Sequence, residues 1–252
     1  MPSKGVALVT GAAQGIGRGI ALRLAKDGYD VVINDISSKS EQLQVLVEEI
    51  RNGGGASSKH IADVSQEEQV KNMVEEVVRQ HGSLDVMVAN AGIMKPEITF
   101  LDMPIEQYDQ IMNINAKGAF LCYKYAALQM IKQGRGGRII GASSLAGKRG
   151  IPLAASYTMS KFAVRGLTQA AALELGEHGI TVNAYAPGAV DTPMMNAGYE
   201  REERLAQVKQ MCALKTVGQP NDIASLVSFL ASSEAGFITG QTISIDGGIH
   251  FD

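Results

Sequence analysis

The first candidate for chemistry is a tyrosine followed four residues later by a lysine, Tyr157 and Lys161. On a predicted helix the two share one face, so the ammonium can lie near the phenol. A phenol with an ordinary pKa of ~10 is a poor base at neutral pH, but a nearby positive charge stabilises the phenolate and lowers that pKa. Taken alone, such a pair is more often a solvated helix face than a proton-transfer site.

The strand predicted just before this helix favours proton transfer. The segment GRIIGASS, residues 137–144, reads as a buried strand that ends in two serines, and Ser144 lies thirteen residues before Tyr157. A strand end brings Ser144 to the edge of the sheet where a cofactor turn would lie. A hydrolase is disfavoured, because Leu145 occupies the position that a G-x-S-x-G nucleophile elbow needs for glycine.

A glycine turn, TGAAQGIG at residues 10–17, follows the first predicted strand and opens the first predicted helix. Gly11, Gly15 and Gly17 permit a tight turn whose backbone N–H groups can approach a pyrophosphate at the helix N-terminus. The spacing is G-x-x-x-G-x-G rather than G-x-G-x-x-G, so simple packing of strand on helix remains the alternative. With Gln14 and Ile16, these glycines are predicted to bind a dinucleotide.

The second predicted strand ends in Asp35, eighteen residues after Gly17. An acid ~20 residues beyond the turn is placed to accept hydrogen bonds from an adenosine ribose. Its charge repels a 2′-phosphate, although Arg18 and Lys39 lie nearby, so NAD is favoured over NADP. A cationic nicotinamide would also stabilise the phenolate, and Tyr157 is predicted to exchange a proton with a carbinol while hydride moves to the nicotinamide.

The strands and helices that must position these residues alternate along the whole chain. This alternation predicts an α/β fold with a Rossmann-type, doubly wound parallel sheet. Strands are predicted at residues 5–10, 30–35, 84–90, 137–143, 181–187 and 241–246, with a weaker one at 57–61. Helices are predicted at 15–26, 40–51, 66–80, 104–133, 154–177 and 221–231. Without a linker or repeat, residues 1–252 are predicted to form one domain. The segment 191–219 interrupts the alternation and is predicted to be a substrate loop.

Composition narrows the class of partner. A chain with 45% hydrophobic and 19% charged residues is not intrinsically disordered. A net charge of −3 provides no positive electrostatic field that would attract nucleic acid. No apolar run is long enough for a bilayer, and the first residues lack a signal-peptide pattern, so a cytoplasmic location is expected. No metal site is predicted, because neither the two cysteines nor the four histidines have ligand spacing.

The motifs together resemble the classical short-chain dehydrogenase/reductase family over essentially the whole chain. The resemblance is carried by TGAAQGIG, ANAG at 89–92, Asn115 in NINAKG, Ser144, YTMSK at 157–161 and APGAVDTP at 186–193. It implies a single Rossmann-type domain assembled as a homotetramer or homodimer. It also implies a tetrad in which Tyr157 is the acid/base, Lys161 holds the nicotinamide ribose and tunes Tyr157, Ser144 bonds the substrate oxygen, and Asn115 positions a water.

The same resemblance implies further cofactor contacts. The adenine would lie at Asp63 and Val64, the adenosine side at Asn90 and Gly92, and the nicotinamide carboxamide at Pro187, Gly188, Val190 and Thr192. One position departs from the family pattern, since the family commonly has Asn where this chain has Ala89.

Within the family, residues 160–169, Asp35 and the C-terminal IDGGIHF are similar to diacetyl/acetoin reductases, also called butanediol dehydrogenases. Related stretches occur in sugar-alcohol dehydrogenases and 3-oxoacyl reductases, which remain the rival enzymes. A dinucleotide-binding regulator without turnover is the rival of another class, and the intact tetrad argues against it. The small alcohol or ketone is predicted to lie among apolar side chains that disfavour sugars but not acyl chains, namely Met94, Leu145, Ile151, Met194 and Met195.

Overall fold

The computed structural model describes residues 3–95, 98–196 and 201–251. Its centre is a seven-stranded parallel sheet with strand order β3-β2-β1-β4-β5-β6-β7. The strands are β1 (Val6–Thr10), β2 (Asp30–Asp35), β3 (Ser57–Ile61), β4 (Val86–Ala89), β5 (Gly137–Ala142), β6 (Ile180–Pro187) and β7 (Thr242–Ile245). The predicted doubly wound sheet is therefore confirmed, and so is the weaker strand at 57–61.

Helices cover both faces of this sheet. They are α1 (Gly15–Lys26), α2 (Ser40–Asn52), α3 (Glu67–His81), α4 (Ile105–Ile111), α5 (Gly118–Gln133), α6 (Ala155–Leu175), α7 (Pro193–Asn196), α8 (Arg201–Met211) and α9 (Pro220–Ala231). Within the described ranges, none of the helices combines the length and apolar character needed to span a bilayer.

Successive strand residues point to opposite faces, and this creates two apolar layers. In β1, Val9 faces the layer formed with α1, α2 and α9. Leu8 faces the layer formed with α3, α5 and α6. Both side chains are completely buried, as expected for a parallel sheet covered on two sides.

The strand order reverses between β1 and β4, which pair in parallel with Val9 opposite Val88. A crevice forms at the carboxyl ends of the strands where connections diverge to opposite sides, and ligands of open α/β sheets bind there. The glycine turn leaves β1 at this point, and ANAG leaves β4 beside it. The topology therefore brings the two motifs together although they are far apart in the sequence.

The prediction of one helix over 104–133 is wrong in detail. A π-helical segment, Met112–Lys117, separates α4 from α5. The wider turn includes Asn115, whose buried side chain bonds outside its own helix, to the backbone of Ile93. Such π segments are frequent at functional sites, because they redirect a side chain without ending the helix.

The predicted substrate loop, residues 191–219, lies between β6 and α9 and contains α7 and α8. Residues 197–200 lie outside the described part. Further on, Val208, Cys212 and Val217 form a third, small apolar cluster. This segment therefore has a core of its own rather than a place in either layer of the sheet.

Candidate active site

Three predicted catalytic side chains meet at the carboxyl ends of β4 and β5. Lys161 of α6 is 4% exposed, and its Nζ donates a hydrogen bond of 2.9 Å to the carbonyl oxygen of Ala142, the last residue of β5. The same Nζ lies 5.4 Å from the centre of the Tyr157 ring. Ser144, two residues beyond Ala142, hydrogen-bonds to Tyr157. The spacing that predicted a shared helix face thus brings phenol, ammonium and hydroxyl together.

Burial governs the proton affinities of this group. Desolvation raises the pKa of the Tyr157 phenol, and the hydrogen bond with Ser144 acts in the opposite direction. Desolvation also lowers the pKa of Lys161 to about 8. From the sequence, positive charge was expected to lower the pKa of Tyr157. In the structure the larger effect on Tyr157 is the loss of water, which disfavours the phenolate.

Asn115 joins this group through the π-helical segment. Its Oδ1 accepts the backbone N–H of Ile93 at 2.8 Å, and its Nδ2 donates to the Ile93 carbonyl oxygen at 2.9 Å. Nδ2 also donates to the hydroxyl of Ser160, which in turn donates to the carbonyl oxygen of Tyr157. A Cβ placed on Gly92 would lie 3.3 Å from Asn115 Oδ1 and 3.4 Å from Lys161 Nζ. Asn115 and Lys161 therefore both lie next to Gly92.

The three glycines of the turn occupy positions that disfavour a side chain. Gly11 and Gly15 have φ values of +64° and +57°, which L residues with a side chain rarely adopt. A Cβ on Gly17 would overlap the carbonyl oxygen of Gly11 and the Asn90 amide. The turn thus keeps a bare backbone at the N-terminus of α1, which fits a pyrophosphate. Gln14 precedes α1, and Ile16 lies in its first turn.

A network of partly buried hydrogen bonds holds this turn against the ends of β1 and β4. The Asn90 Nδ2 donates to the carbonyl oxygens of Thr10 at 2.8 Å and Gly11 at 3.1 Å. The Thr10 hydroxyl accepts the N–H groups of Asn90 and Ala91, each at 3.1 Å. Asn90, rather than the preceding Ala89, makes these side-chain bonds, so the departure from the family pattern leaves the connection between β1 and β4 in place.

The predicted adenosine side of the crevice lies at the ends of β2 and β3. Asp35 accepts the N–H of Ala13 in the glycine turn at 3.1 Å. Of the two nearby cations, Lys39 donates to Gln14 at 3.2 Å and Arg18 forms an ion pair with Glu49.

Asp63 and Val64 follow β3, whose last residue is paired with Asp35. Asp63 Oδ1 accepts from the N–H of Ser65 at 2.9 Å and from its hydroxyl at 2.8 Å. Val64 is buried, and a Cβ on Gly118 of α5 would overlap its side chain. The two residues thus lie at the same edge as Asp35, with Val64 directed toward α5.

The predicted nicotinamide residues follow β6. Pro187 ends this strand, and a Cβ on Gly188 would lie 2.7 Å from the Asp246 Cβ. Thr192 bonds through its hydroxyl to the carbonyl oxygen of Val190 at 3.2 Å. A Cβ on Gly15 would lie 3.4 Å from the Thr192 side chain, so this loop meets the glycine turn.

The five predicted substrate residues fall into two groups. Leu145 directly follows Ser144, Met94 follows the backbone that holds Asn115, and Ile151 lies in the loop before Tyr157; all three are half-buried. In the substrate loop, Met194 is 41% exposed, whereas Met195 packs against the small cluster of that loop. The structure therefore directs Met195 at least partly into local packing.

Sequence reasoning missed two residues of this site. Ser160 connects Asn115 to Tyr157, and Tyr185 of β6 donates to Asn90 Oδ1 at 2.8 Å. A tyrosine among small residues in the strand NAYAP was the available signal for the second. Among the described residues, no group of three His, Cys, Asp or Glu side chains is placed to hold a metal ion.

Comparison with known proteins gives the family. Residues 11–250 match the family described as Enoyl-(Acyl carrier protein) reductase. A short-chain dehydrogenase/reductase of Armillaria gallica is 52% identical over 98% of this chain and 96% of its own length. A 3-oxoacyl-(acyl-carrier-protein) reductase of Staphylococcus epidermidis is 44% identical over 97% of this chain and 98% of its own.

A solved structure extends the comparison to three dimensions. The acetoin dehydrogenase YohF of Salmonella typhimurium superposes with a TM-score of 0.87 and 38% identity, covering 99% of this chain and 96% of its own. Fold, motif geometry and relatives agree over nearly the whole length. The chain therefore belongs to the short-chain dehydrogenase/reductase family, whose members typically bind NAD(P), and is an oxidoreductase acting on CH–OH groups.

Proposed function

We propose that the protein interconverts a small secondary alcohol and its ketone with NAD(H), and that acetoin, diacetyl or 2,3-butanediol is the substrate. The observation that carries the chemistry is the meeting of Ser144, Tyr157 and Lys161 beside a backbone turn bare enough for a pyrophosphate. A small ketone or alcohol can reach the phenol, while the dinucleotide lies along the carboxyl ends of β1 and β4.

The proton chemistry follows from the positions of the side chains. Ser144 and Tyr157 both present hydroxyl groups to the substrate oxygen, and Tyr157 gives or takes its proton. Lys161, held by the Ala142 carbonyl, supplies positive charge that favours the phenolate against desolvation. Asn115 fixes the backbone at Ile93, and the family resemblance implies that it would position a water of the proton relay. When bound, the nicotinamide accepts or gives the hydride.

NAD is proposed as the cofactor because Asp35 lies at the end of β2 beside the glycine turn. Its carboxylate would bond the ribose hydroxyls and repel a 2′-phosphate, and both nearby cations already have partners. Asp35→Ala should weaken NADH binding and relax discrimination against NADPH. Comparing kcat/KM for the two cofactors tests this, and a wild-type preference for NADPH would contradict it.

The proposed substrate rests on the side chains around the tetrad and on similarity to an acetoin dehydrogenase. Met94, Leu145 and Ile151 present apolar surface, and buried sugar hydroxyls without partners would each cost ~1–3 kcal/mol. An acyl chain would fit such walls, so a 3-oxoacyl reductase is the second candidate, favoured by the similarity to the Staphylococcus epidermidis reductase.

The experiment that separates these substrates is NADH oxidation with a panel of carbonyl compounds. We expect kcat/KM for diacetyl or acetoin to exceed that for acetoacetyl thioesters and common ketoses at least about tenfold, the ratio for 1.4 kcal/mol. The reverse order would remove the acetoin assignment and leave an oxidoreductase of another alcohol.

Self-association is proposed from the exposed apolar side chains of α5 and α6. Phe120, Leu128, Phe162 and Leu173 are all exposed, with Leu173 at 88%. Apolar side chains clustered on neighbouring helices are typical of protein interfaces. A homotetramer or homodimer would cover them. Sedimentation equilibrium at micromolar concentration tests this proposal, and a monomer would contradict it.

A further inference from the structure

Tyr185 is a buried tyrosine whose hydroxyl group makes a hydrogen bond to Asn90. It lies in β6, is 1% exposed and packs in the apolar layer of α1, α2 and α9. Its neighbour in β5 is Ala142, a small residue in the same layer, so the ring can extend past β5. Its hydroxyl then donates to Asn90 Oδ1 at 2.8 Å. A side chain of β6 thus reaches the residue that follows β4.

The bond holds the Oδ1 end of the Asn90 amide, while two backbone carbonyl oxygens hold the other end. An asparagine amide has an accepting oxygen and a donating nitrogen of nearly equal size. With Oδ1 taken by Tyr185, the donating Nδ2 faces the carbonyl oxygens of Thr10 and Gly11, at 2.8 and 3.1 Å. The opposite orientation would set an oxygen against two carbonyl oxygens, which is repulsive.

The turn has little freedom to adjust to such a change. A Cβ on Gly17 would overlap both the Gly11 carbonyl oxygen and the Asn90 Nδ2. The Asn90 amide is therefore packed tightly between the end of β1 and the start of α1. Rotation of the Asn90 amide would therefore move the Thr10 and Gly11 peptides of the turn that is proposed to hold the pyrophosphate. Dinucleotide affinity should depend on this orientation.

We propose that Tyr185 is a positioning residue for the dinucleotide, because its hydroxyl anchors the Asn90 amide that holds the glycine turn. The inference rests on the proposed use of a dinucleotide and extends it to a residue in a different strand. Tyr185 touches neither substrate nor cofactor in this scheme. The competing interpretation is that it only fills the core.

The chain offers two matched controls for removing a tyrosine hydroxyl. Tyr29 lies in the same apolar layer and donates to the carbonyl oxygen of Ala231 at 2.9 Å. Tyr123 lies in the opposite layer, 3.0 Å from the Thr168 hydroxyl. Both are buried and bonded, as Tyr185 is, but neither bond leads to the glycine turn. Phenylalanine at all three positions removes the same atom from three buried sites.

We expect Tyr185→Phe to raise both the Kd and the KM for NADH about five- to tenfold, the effect of losing one buried hydrogen bond. Its kcat at saturating NADH and its KM for the carbonyl substrate should change less than about twofold. Tyr29→Phe and Tyr123→Phe should lower the melting temperature to a similar extent but leave the NADH constants unchanged. Equal NADH constants in all three variants would overturn the inference.

A double-mutant cycle with Asn90→Ala tests the route of the effect. Once the amide is removed, Tyr185→Phe should not raise the KM for NADH further, whereas independent roles would give additive changes. An additive result, or a Tyr185→Phe chain that is insoluble while both controls fold, would assign Tyr185 to the core alone. A wild-type protein that binds neither NADH nor NADPH would overturn the proposed function itself.

Discussion

The glycine turn and the substrate loop lie at the same edge of the sheet but are built differently. The turn is connected to three strands by partly buried hydrogen bonds through Thr10, Asn90 and Tyr185. The substrate loop has a small cluster of its own and exposes large apolar side chains, with Met211 57% and Leu214 73% exposed. One region is fixed by the core of the domain, and the other has few contacts with it.

This difference separates the chemical step, which is common to many substrates, from the choice of substrate. Hydride and proton transfer need fixed distances, and only side chains anchored in the sheet and its helices supply them. Substrate choice needs a surface that can change without disturbing the core, which loops provide. We therefore expect substitutions in the two regions to affect different kinetic constants.

The largest effect is expected at the proton-transfer residue. Tyr157→Phe removes the hydroxyl that meets Ser144 and should lower kcat by roughly 10²–10⁴, the contribution of general acid–base catalysis. NADH binding and the melting temperature should stay near the wild-type values. Single-turnover and steady-state rates with the best carbonyl substrate measure the loss. Turnover close to that of the wild type would show that another group carries the proton.

The next effect tests how rigid the glycine turn is. Gly17→Ala sets a methyl group against the Gly11 carbonyl oxygen and the Asn90 amide, and overpacking of ~1–3 kcal/mol should weaken NADH binding roughly ten- to hundredfold. Gly176→Ala is the control, because nothing lies within 4 Å of a Cβ there. Its NADH affinity should equal the wild-type value. Tight NADH binding by Gly17→Ala would mean that the turn adapts.

The sequence could predict residues whose positions are set by local spacing, but not those whose positions are set by contacts formed only on folding. Tyr157 and Lys161 were found because helix periodicity fixes residues four apart, and Asp35 because a strand end fixes its place relative to the turn. The π-helical segment at Asn115 was missed; the bonds of Asn115 to Ile93 that accompany it join residues twenty-two apart and form only in the folded chain. Tyr185 was missed for a similar reason, since its partner Asn90 is ninety-five residues away.

A smaller, pH-dependent effect is expected at Lys161. Burial lowers its pKa to about 8, below the ordinary ~10.4 of an unfolded chain, so between these values the unfolded state binds more protons. The free energy of unfolding therefore rises with pH through this window and is lowest below pH 8, where the buried ammonium is charged.

Lys161→Met removes this dependence. The stability of the variant relative to the wild type should fall by about 1–3 kcal/mol as the pH rises from 7 to 10, measured by urea unfolding. Lys209→Met, in the exposed part of α8, should show no such change. A parallel pH dependence in both variants would place the Lys161 ammonium in water rather than in the core.

The smallest effect is expected in the substrate loop. Met194 is 41% exposed, so its removal deletes only part of an apolar contact, and Met194→Ala should raise the KM for the carbonyl substrate about two- to fivefold. The KM for NADH and the melting temperature should not change, since neither layer of the sheet contains this side chain. Met211→Ala, at the end of α8, is the control and should leave both KM values unaltered. A rise in the KM for NADH with Met194→Ala would mean that the loop and the glycine turn act as one unit, in keeping with the position of Thr192 close to Gly15. The division between the two regions would then fail.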